Sequence, residues 1–227
     1  MSEIHQRKIR SFVRRPGRTT TAQRRALESL WPRFGIASGD ETLDLAAIFG
    51  RDAPVILEIG FGDGEALFTS AANNPRIDHL GIEIHEPGVG HLLMLLERAS
   101  LSNVRIMARD AVEILDSQLR PASLDAVRIF FPDPWPKKRH HKRRLVQRDF
   151  IDAVARVLKP GGLLHLATDW ADYAEHIVEV MAPCEPFRQL PAEEAGADPF
   201  SARPPTKFER RGRRLGHEVW DLYYRLR

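Results

Sequence analysis

The fold is set by one ten-residue stretch, Val55-Ile56-Leu57-Glu58-Ile59-Gly60-Phe61-Gly62-Asp63-Gly64. Its first half is an apolar run of strand length that contains a single carboxylate, and glycine occupies every second position of its second half. A helical pattern over residues 65–72 follows directly. A strand, a glycine loop and a helix in this order predict that the loop backbone approaches a ligand closely, beside the unpaired N–H groups at the start of the helix.

The same alternation of strands and helices continues along the chain. We also expect a short strand near residues 187–190 and a last, antiparallel strand at 219–226. Strands that alternate with helices are typical of a doubly wound, mostly parallel sheet, so the predicted fold class is α/β. The remaining predicted strands are 79–84, 104–108, 126–131 and 163–168, and the remaining predicted helices are 88–100, 110–119, 148–158 and 171–181.

The N-terminal region has a different character. Residues 1–25 form a basic arm, and a helix capped by Thr20 or Thr21 is expected to end near Leu30, because Pro32 follows. We therefore divide the chain into an arm with its helix, residues 1–30, and a single domain, residues 31–227.

Three further segments read as irregular or short. Residues 40–49 predict a short helix or a turn, and residues 183–205, rich in proline, predict mostly loop. Lys159-Pro160-Gly161-Gly162 is expected to separate a helix from the strand that begins at Leu163.

The net charge of the chain is only +3, but the charge is unevenly distributed. Residues 1–25, 137–144 and 203–227 carry +7, +6 and +5, which leaves −15 on the rest of the chain. Any one basic segment is usually a solvated face. Three such segments on an acidic body indicate a polyanion, and favour nucleic acid as the partner.

Composition excludes several classes of protein. The hydrophobic fraction of 43% is ordinary for a globular domain, and no apolar run approaches the roughly 20 residues of a membrane span. The N-terminus lacks the apolar segment of an export signal. Cys184 is the only cysteine, which rules out an internal disulfide and fits a reducing cytoplasm, so we expect a cytoplasmic protein.

Carboxylates fall near the ends of successive predicted strands. Ligands of open α/β sheets bind outside those ends, and four carboxylates there suit a ligand rich in hydroxyls and amines. The glycine loop alone is compatible with a dehydrogenase, a methyltransferase or a packing turn, but its spacing is not that of the dinucleotide fingerprint. The four acids are Glu58, Glu83, Asp110 and Asp133.

The fourth strand leads into a second unusual stretch, Phe130-Phe131-Pro132-Asp133-Pro134-Trp135-Pro136. The two prolines that flank Asp133 stiffen the chain into a corner. Two roles for Trp135 are equally compatible with the sequence: its ring stacks on an RNA base, or it packs as an apolar side chain under the loop. Six of the next eight residues, 137–144, are Lys or Arg. His140 and His141 within that run lack metal-ligand spacing, so no metal site is predicted.

These motifs resemble those of the bacterial tRNA (guanine-N7-)-methyltransferase family over nearly the whole chain. The chain departs from the pattern only at Glu58, where an aspartate can also occur, and at Pro136. The matching segments are residues 10–15, 31–32, 81–85, 87–90, 130–135, 167–170, 206–209 and 215–217.

The resemblance implies a Rossmann-like class I methyltransferase that transfers a methyl group from S-adenosyl-L-methionine to N7 of guanine 46 in the variable loop of tRNA. It implies Asp133 as the catalytic residue. The implied cofactor-binding residues are Glu58, Gly60, Gly62, Gly64, Glu83, Asp110 and Asp133. The implied substrate-binding residues are Lys137, Asp169, Thr206, Lys207, Phe208 and Glu209, and the implied RNA-binding residues are Arg139, His140, His141, Lys142, Arg143 and Arg144.

Elementary chemistry agrees with these roles. N7 of guanine has a lone pair and no proton, so Asp133 is expected to orient the base and stabilise its developing positive charge rather than to act as a general base. Whether Asp133 or Asp169 lies closer to N7 is left open, as is the choice between a monomer and a homodimer. Three rival interpretations are a small-molecule methyltransferase, an NAD-dependent oxidoreductase and an RNA-binding module that has lost catalysis.

Overall fold

A computed structural model of the chain describes residues 17–37, 39, 41–214 and 216–227. Most of the predicted basic arm, residues 1–16, lies outside the described residues. The division of the chain at residue 30 therefore stays a prediction.

The described residues form one seven-stranded sheet with the order β3-β2-β1-β4-β5-β7-β6. Neighbouring strands are parallel from β3 to β5, and β7 is antiparallel to both β5 and β6. The predicted α/β sheet with an antiparallel last strand is confirmed. The strands are β1 (Val55–Ile59), β2 (Asp78–Ile82), β3 (Val104–Met107), β4 (Leu124–Phe130), β5 (Leu158–Thr168), β6 (Phe187–Leu190) and β7 (Trp220–Leu226).

Helices cover both faces of the sheet. In the described ranges none of them has the length and apolar character that a membrane crossing requires. The helices are α1 (Thr21–Phe34), α2 (Leu45–Phe49), α3 (Glu65–Asn73), α4 (Glu86–Arg98), α5 (Ala111–Ser117), α6 (Arg148–Val157), α7 (Ala171–Met181), α8 (Ala192–Gly196) and α9 (Lys207–Arg214), with a 3-10 helix at Lys138–Arg143.

The central strand β1 is buried on both faces. Leu57 and Ile59 belong to the core formed with α5, α6 and α7, whereas Ile56 packs on the opposite face with Ala126 and Leu163. Burial on two faces explains why β1 reads as a continuous apolar run rather than as an alternating one. Strand β1 lies between β2, which follows it in the chain, and β4, which pairs with its other edge. The strand order reverses at this point, which creates the crevice where ligands of such sheets bind.

One row of the sheet is polar. Register places Gly81, Glu58, Arg128, His165 and Tyr223 side by side on β2, β1, β4, β5 and β7. Glu58, Arg128 and His165 are all buried. Burying a polar or charged group without a partner costs free energy. This row therefore marks the part of the sheet where polar groups need partners.

We predicted that helix α1 ends before Pro32. The helix instead continues to Phe34. Proline removes one hydrogen bond, to the carbonyl of Glu28, and both residues are exposed, so water can satisfy that carbonyl. The Gly35 N–H donates to the carbonyl of Trp31 at 2.7 Å, and the ring of Phe34 is fully buried. Tertiary packing therefore carries the helix past its proline.

Strand β5 begins at Leu158, five residues before the predicted start at Leu163. The register shifts between the pairs that these two residues make with β4, so the intervening segment is a bulge. Gly161 absorbs the distortion with a φ of 78°, a conformation that glycine adopts without strain. The expected break is thus an irregularity inside one strand.

Two short helices in the C-terminal region were not predicted. Helix α8 lies inside the segment that was expected to be mostly loop, and α9 contains too many charged residues to show an apolar period. Thr206 caps α9, since its hydroxyl accepts a hydrogen bond from the Glu209 N–H at 3.1 Å. Local capping rather than hydrophobic patterning therefore starts α9.

Glycines allow α4 to approach its neighbours closely. A Cβ atom on Gly88 would lie 1.9 Å from the carbonyl oxygen of Gly62 in the glycine loop. A Cβ atom on Gly90 would lie 2.9 Å from the carbonyl oxygen of Gln23 in α1. Helix α4 is thus wedged between the glycine loop and α1.

We expect Gly88→Ala to lower the free energy of unfolding by about 1–3 kcal/mol, because the added methyl overlaps backbone that cannot move aside cheaply. Thermal unfolding measures this change. Gly196→Ala is the control, since its Cβ would meet nothing within 4 Å. Equal melting temperatures for the two variants would contradict the close approach.

Candidate active site

The glycine loop adopts backbone conformations that its sequence anticipates. Gly60, Gly62 and Gly64 have φ angles of 75°, 62° and 78°, all in the left-handed region. A Cβ atom on Gly60 would meet nothing within 4 Å, whereas one on Gly64 would lie 2.6 Å from Leu92. The loop is therefore packed at its helical end and open beside β1.

Glu83 orders this loop from the end of the neighbouring strand. One carboxylate oxygen accepts a hydrogen bond from the Gly62 N–H at 2.8 Å, and the other accepts from the N–H groups of Ile84 and His85 at 2.7 and 2.9 Å. A carboxylate offers about four acceptor sites, so Glu83 can still receive a ligand hydroxyl.

Glu58 is a buried acid of the site whose pKa is raised. It is buried at 3% exposure and lines the cleft at the end of β1. Burial raises the pKa of the Glu58 carboxyl to about 7, and the positive charge of Arg128 beside it opposes part of that rise. A cationic group in the cleft would favour the ionised form.

The structure brings the predicted acids to one edge of the sheet. Glu58, Glu83, Asp110 and Asp133 lie at or after the carboxyl ends of four neighbouring strands, β1, β2, β3 and β4. Asp110 also caps α5, since it accepts a hydrogen bond from the Val112 N–H at 3.0 Å. The cleft between β1 and β4 is lined by Glu58, Gly60, Phe61, Gly62, Asp63, Ala66, Phe130, Phe131 and Thr206.

The corner around Asp133 is conformationally strained. Phe131 and Trp135, on either side of it, have φ angles of 53° and 47°, which are uncommon for residues with a side chain. The Phe131 N–H donates to the carbonyl of Ala167 on β5 at 2.8 Å, and the carbonyl of Pro134 accepts from Arg144 at 3.0 Å. Such strain persists only where the surroundings hold it, and it is concentrated at functional sites.

Trp135 is packed by the basic run that follows it. The guanidinium of Arg143 lies 3.8 Å from the centroid of the indole, and the ring of His140 meets it edge-on at 6.0 Å. The indole is half-buried, which favours apolar packing under the loop over free stacking on an RNA base.

The basic run divides into outward and inward residues. Lys137, Arg139 and Lys142 are exposed, as an RNA-binding surface requires. Arg144 differs from the expectation for an RNA-binding residue, because its side chain is only 1% exposed and pairs with Asp172. No cluster of three or more His, Cys, Asp or Glu in the described part of the chain could hold a metal ion.

The predicted substrate residues fall into two groups. Thr206 lines the cleft, and Asp169 follows β5 with one carboxylate oxygen 3.7 Å from Nδ1 of His217. Glu209 departs from the expectation, because it is buried and paired with Arg203. The side chains of Lys207 and Phe208 lie outside the described residues.

Sequence reasoning missed a network of ion pairs and hydrogen bonds around Arg203. Arg203 donates to both carboxylate oxygens of Asp221, at 2.7 and 2.9 Å, and also to Glu209. Nε2 of the buried His165 lies 2.8 Å from Asp221. Burial alone would raise the pKa of Asp221, but hydrogen bonds from His165 and Arg203 outweigh it and hold that pKa well below its usual range. Arg203 lies inside the proline-rich segment, residues 183–205, where no periodicity could have indicated its role.

The fold that holds these features is that of known methyltransferases. The fold is shared with the solved 16S rRNA methyltransferase KamB, at a TM-score of 0.56 and 16% identity over 86% of this chain and 98% of that one. It is also shared with an S-adenosylmethionine-dependent methyltransferase from Aquifex aeolicus, at a TM-score of 0.52 and 13% identity over 81% of this chain and 88% of that one. Residues 52–222 match the family model Methyltransf_4, which describes methyltransferases.

Curated relatives narrow the class. The protein called tRNA (guanine-N(7)-)-methyltransferase from Alkalilimnicola ehrlichii is 58% identical over 97% of this chain and 94% of its own length. Its counterpart from Halorhodospira halophila is 54% identical over 97% of this chain and 96% of its own. The chain belongs to the tRNA (guanine-N(7)-)-methyltransferase family, which confirms the family predicted from its motifs.

We expect Arg203→Met to lower the free energy of unfolding by about 3–5 kcal/mol, because it removes the positive charge from the buried carboxylate of Glu209 and from the half-buried carboxylate of Asp221. Arg188→Met is the matched control. Arg188 pairs with Glu194 at the surface, where the two side chains are 47% and 45% exposed, so its loss should cost at most about 1 kcal/mol. Denaturant unfolding measures both, and equal losses would contradict the network's role.

Proposed function

We propose that this protein transfers a methyl group from S-adenosylmethionine to N7 of guanine 46 in the variable loop of tRNA. The observation that carries the proposal is the strained Asp133 corner, which joins the cleft at the end of β1 to an exposed run of basic residues. The names of the curated relatives support the same reaction.

The residues around the cleft fit such a cofactor. The open space beside Gly60 leaves room for a ligand against the loop backbone. Glu58 would hold an ammonium group with its buried carboxylate, Glu83 would accept from the ribose hydroxyls, and Asp110 would accept from an adenine amine. When bound, S-adenosylmethionine supplies a methyl group that the sulfonium makes electrophilic.

The chain's own task is to position the acceptor base. N7 carries a lone pair and no proton, so no residue has to act as a general base. Asp133 orients the guanine and stabilises the positive charge that develops on it, while Lys137, Asp169 and Thr206 hold the nucleotide.

The basic segments bind the phosphates of the RNA. Lys137, Arg139 and Lys142 are exposed beside the corner and anchor the tRNA near the target base. Affinity should fall steeply with salt, because each neutralised phosphate releases counterions. The expected cytoplasmic location would put the protein in contact with tRNA, and it stays a prediction.

The decisive experiment measures methyl transfer from labelled S-adenosylmethionine to unmodified tRNA transcripts, with and without guanine at position 46. We expect label as N7-methylguanine only when that guanine is present. Asp133→Asn should lower kcat on the order of 100- to 1000-fold, because one preorganised charge is lost.

Each failure would mean something different. Label on another base would refute the target position, and label on no RNA would refute the substrate. Near-full turnover by Asp133→Asn would refute the electrostatic role of that residue.

Cofactor affinity should depend on pH through Glu58. With its pKa near 7, Glu58 is protonated below that pH, so the cofactor Kd should rise about tenfold per unit as the pH falls from 7 to 5. Arginine stays protonated in proteins, so Arg128 keeps its charge between pH 5 and 7. Burial lowers the pKa of His79 to about 3, so His79 does not change charge in that range either. Calorimetric titration at several pH values measures the slope.

Glu58→Gln is the control, because it should bind more weakly and with no such slope between pH 5 and 7. The cofactor-free protein gives an independent check. A carboxyl whose pKa is raised by folding destabilises the folded state as the pH rises from about 4.5 to 7, so Glu58→Gln should raise the melting temperature at pH 8 but not at pH 4.5. If the cofactor Kd of Glu58→Gln depends on pH as steeply as that of the unaltered protein, a group other than Glu58 titrates.

A further inference from the structure

Arg144 ends the basic run, yet its guanidinium is turned into the protein. Its Nε donates to the carbonyl oxygen of Pro134 at 3.0 Å. Its two terminal nitrogens donate to the carbonyl and the carboxylate of Asp172, and one of them lies 3.1 Å from Nε2 of His141. The guanidinium also lies 5.0 Å from the centroid of the Tyr173 ring. One buried side chain therefore ties the Asp133 corner to the first turn of α7.

The sequence of the corner limits its own backbone donors. Pro132 and Pro134 have no N–H group, so neither of the two residues that flank Asp133 can donate a backbone hydrogen bond. The N–H of Phe131 anchors the corner to β5 on one side. The bond from Arg144 to Pro134 anchors it on the other, directly after Asp133.

The Asp172 side of the contact is a charge pair. The hydrogen bond from Arg144 lowers the pKa of Asp172, and the guanidinium charge adds to that effect. Tyr173, which follows Asp172, packs under the same guanidinium. Burial raises the pKa of Tyr173 to about 12, and the charge of Arg144 opposes part of that rise.

We propose that Arg144 is a positioning residue that holds the Asp133 corner, and that it is not an RNA anchor. This inference rests on the proposed function, because it takes Asp133 as the residue that meets the base. An arginine that neutralises a phosphate must reach solvent, and Arg144 is 1% exposed. The exposed Lys137, Arg139 and Lys142 contact the RNA instead.

The test compares Arg144→Gln with Lys142→Gln, two neighbours in the same run that each lose one charge. Arg144→Gln should lower kcat on the order of 10- to 100-fold, as misplaced catalytic groups do, while the tRNA Kd and its salt dependence stay unchanged. Lys142→Gln should raise the tRNA Kd and reduce the slope of log Kd against log salt by about 0.7–0.9, as the loss of one phosphate contact does.

A double-mutant cycle separates positioning from general damage. In an Asp133→Asn background, Arg144→Gln should have no further effect on kcat, because the group that it positions is already gone. A loss of the same size in both backgrounds would mean that Arg144 only supports the fold, and would overturn the inference.

Asp172→Asn provides a second variant in case Arg144→Gln does not fold. It weakens the hold on the guanidinium, so kcat should fall while tRNA affinity does not. Asp149→Asn is its control, since Asp149 occupies the first turn of α6 and is exposed. Unchanged kcat in Asp172→Asn, with Arg144→Gln unfolded, would overturn the inference.

The outcomes also separate this inference from the proposed function. If the unaltered protein forms no N7-methylguanine in tRNA, both are wrong. If it does, and Arg144→Gln loses tRNA affinity and salt dependence with kcat intact, only the inference is wrong.

Discussion

The parallel pairing of β1 with β4 is the constraint on which the site depends. This pairing sets Glu58 beside Arg128 in the register. Both strands also end at the same edge of the sheet, and the chain continues from there at Gly60 and at Phe131. A ligand in that crevice meets the glycine loop on one side and the Asp133 corner on the other. Because both strands are buried on two faces, neither can slip without moving its whole set of core residues, so the two halves of the site are held at a fixed separation.

Three buried arginines attach the irregular segments to this frame. Arg128 donates to the carbonyls of Phe200 and Ala202, Arg203 joins β7 to α9, and Arg144 holds the corner after β4. Each of them donates to oxygen atoms on a segment other than its own. The guanidinium suits this task because its fixed fork of donors reaches several acceptors at once. The chain thus uses buried arginines to hold its own backbone, whereas the exposed basic residues are the proposed contacts with RNA.

The sequence predicted most of the fold because its strands and helices carry strong periodicities. The bounds of α7 and β6 agree with prediction to the residue, and the acids at the ends of β1 to β4 were correctly placed at one edge. The errors lie where tertiary contacts override local preference. Buried Phe34 carries α1 past its proline, and Gly161 lets β5 begin before the expected break. Helix α9 was missed because its stability comes from a cap and an ion network, and not from an apolar face.

Sequence by itself determined the family, the open sheet, the glycine loop and the identity of the candidate catalytic acid, because each of these depends on residue types at short spacing. Only the tertiary structure decided which charged residues face solvent. Arg144 carries the same charge as its exposed neighbour Lys142, and Glu209 is the one acid in a helix rich in arginine. Both side chains become internal supports because Asp172 and Arg203 lie opposite them in the fold. Arg144 meets a partner 28 residues away, and Glu209 meets one across the turn that precedes α9. Neither separation follows a helix or strand period, so no local periodicity encodes either pair.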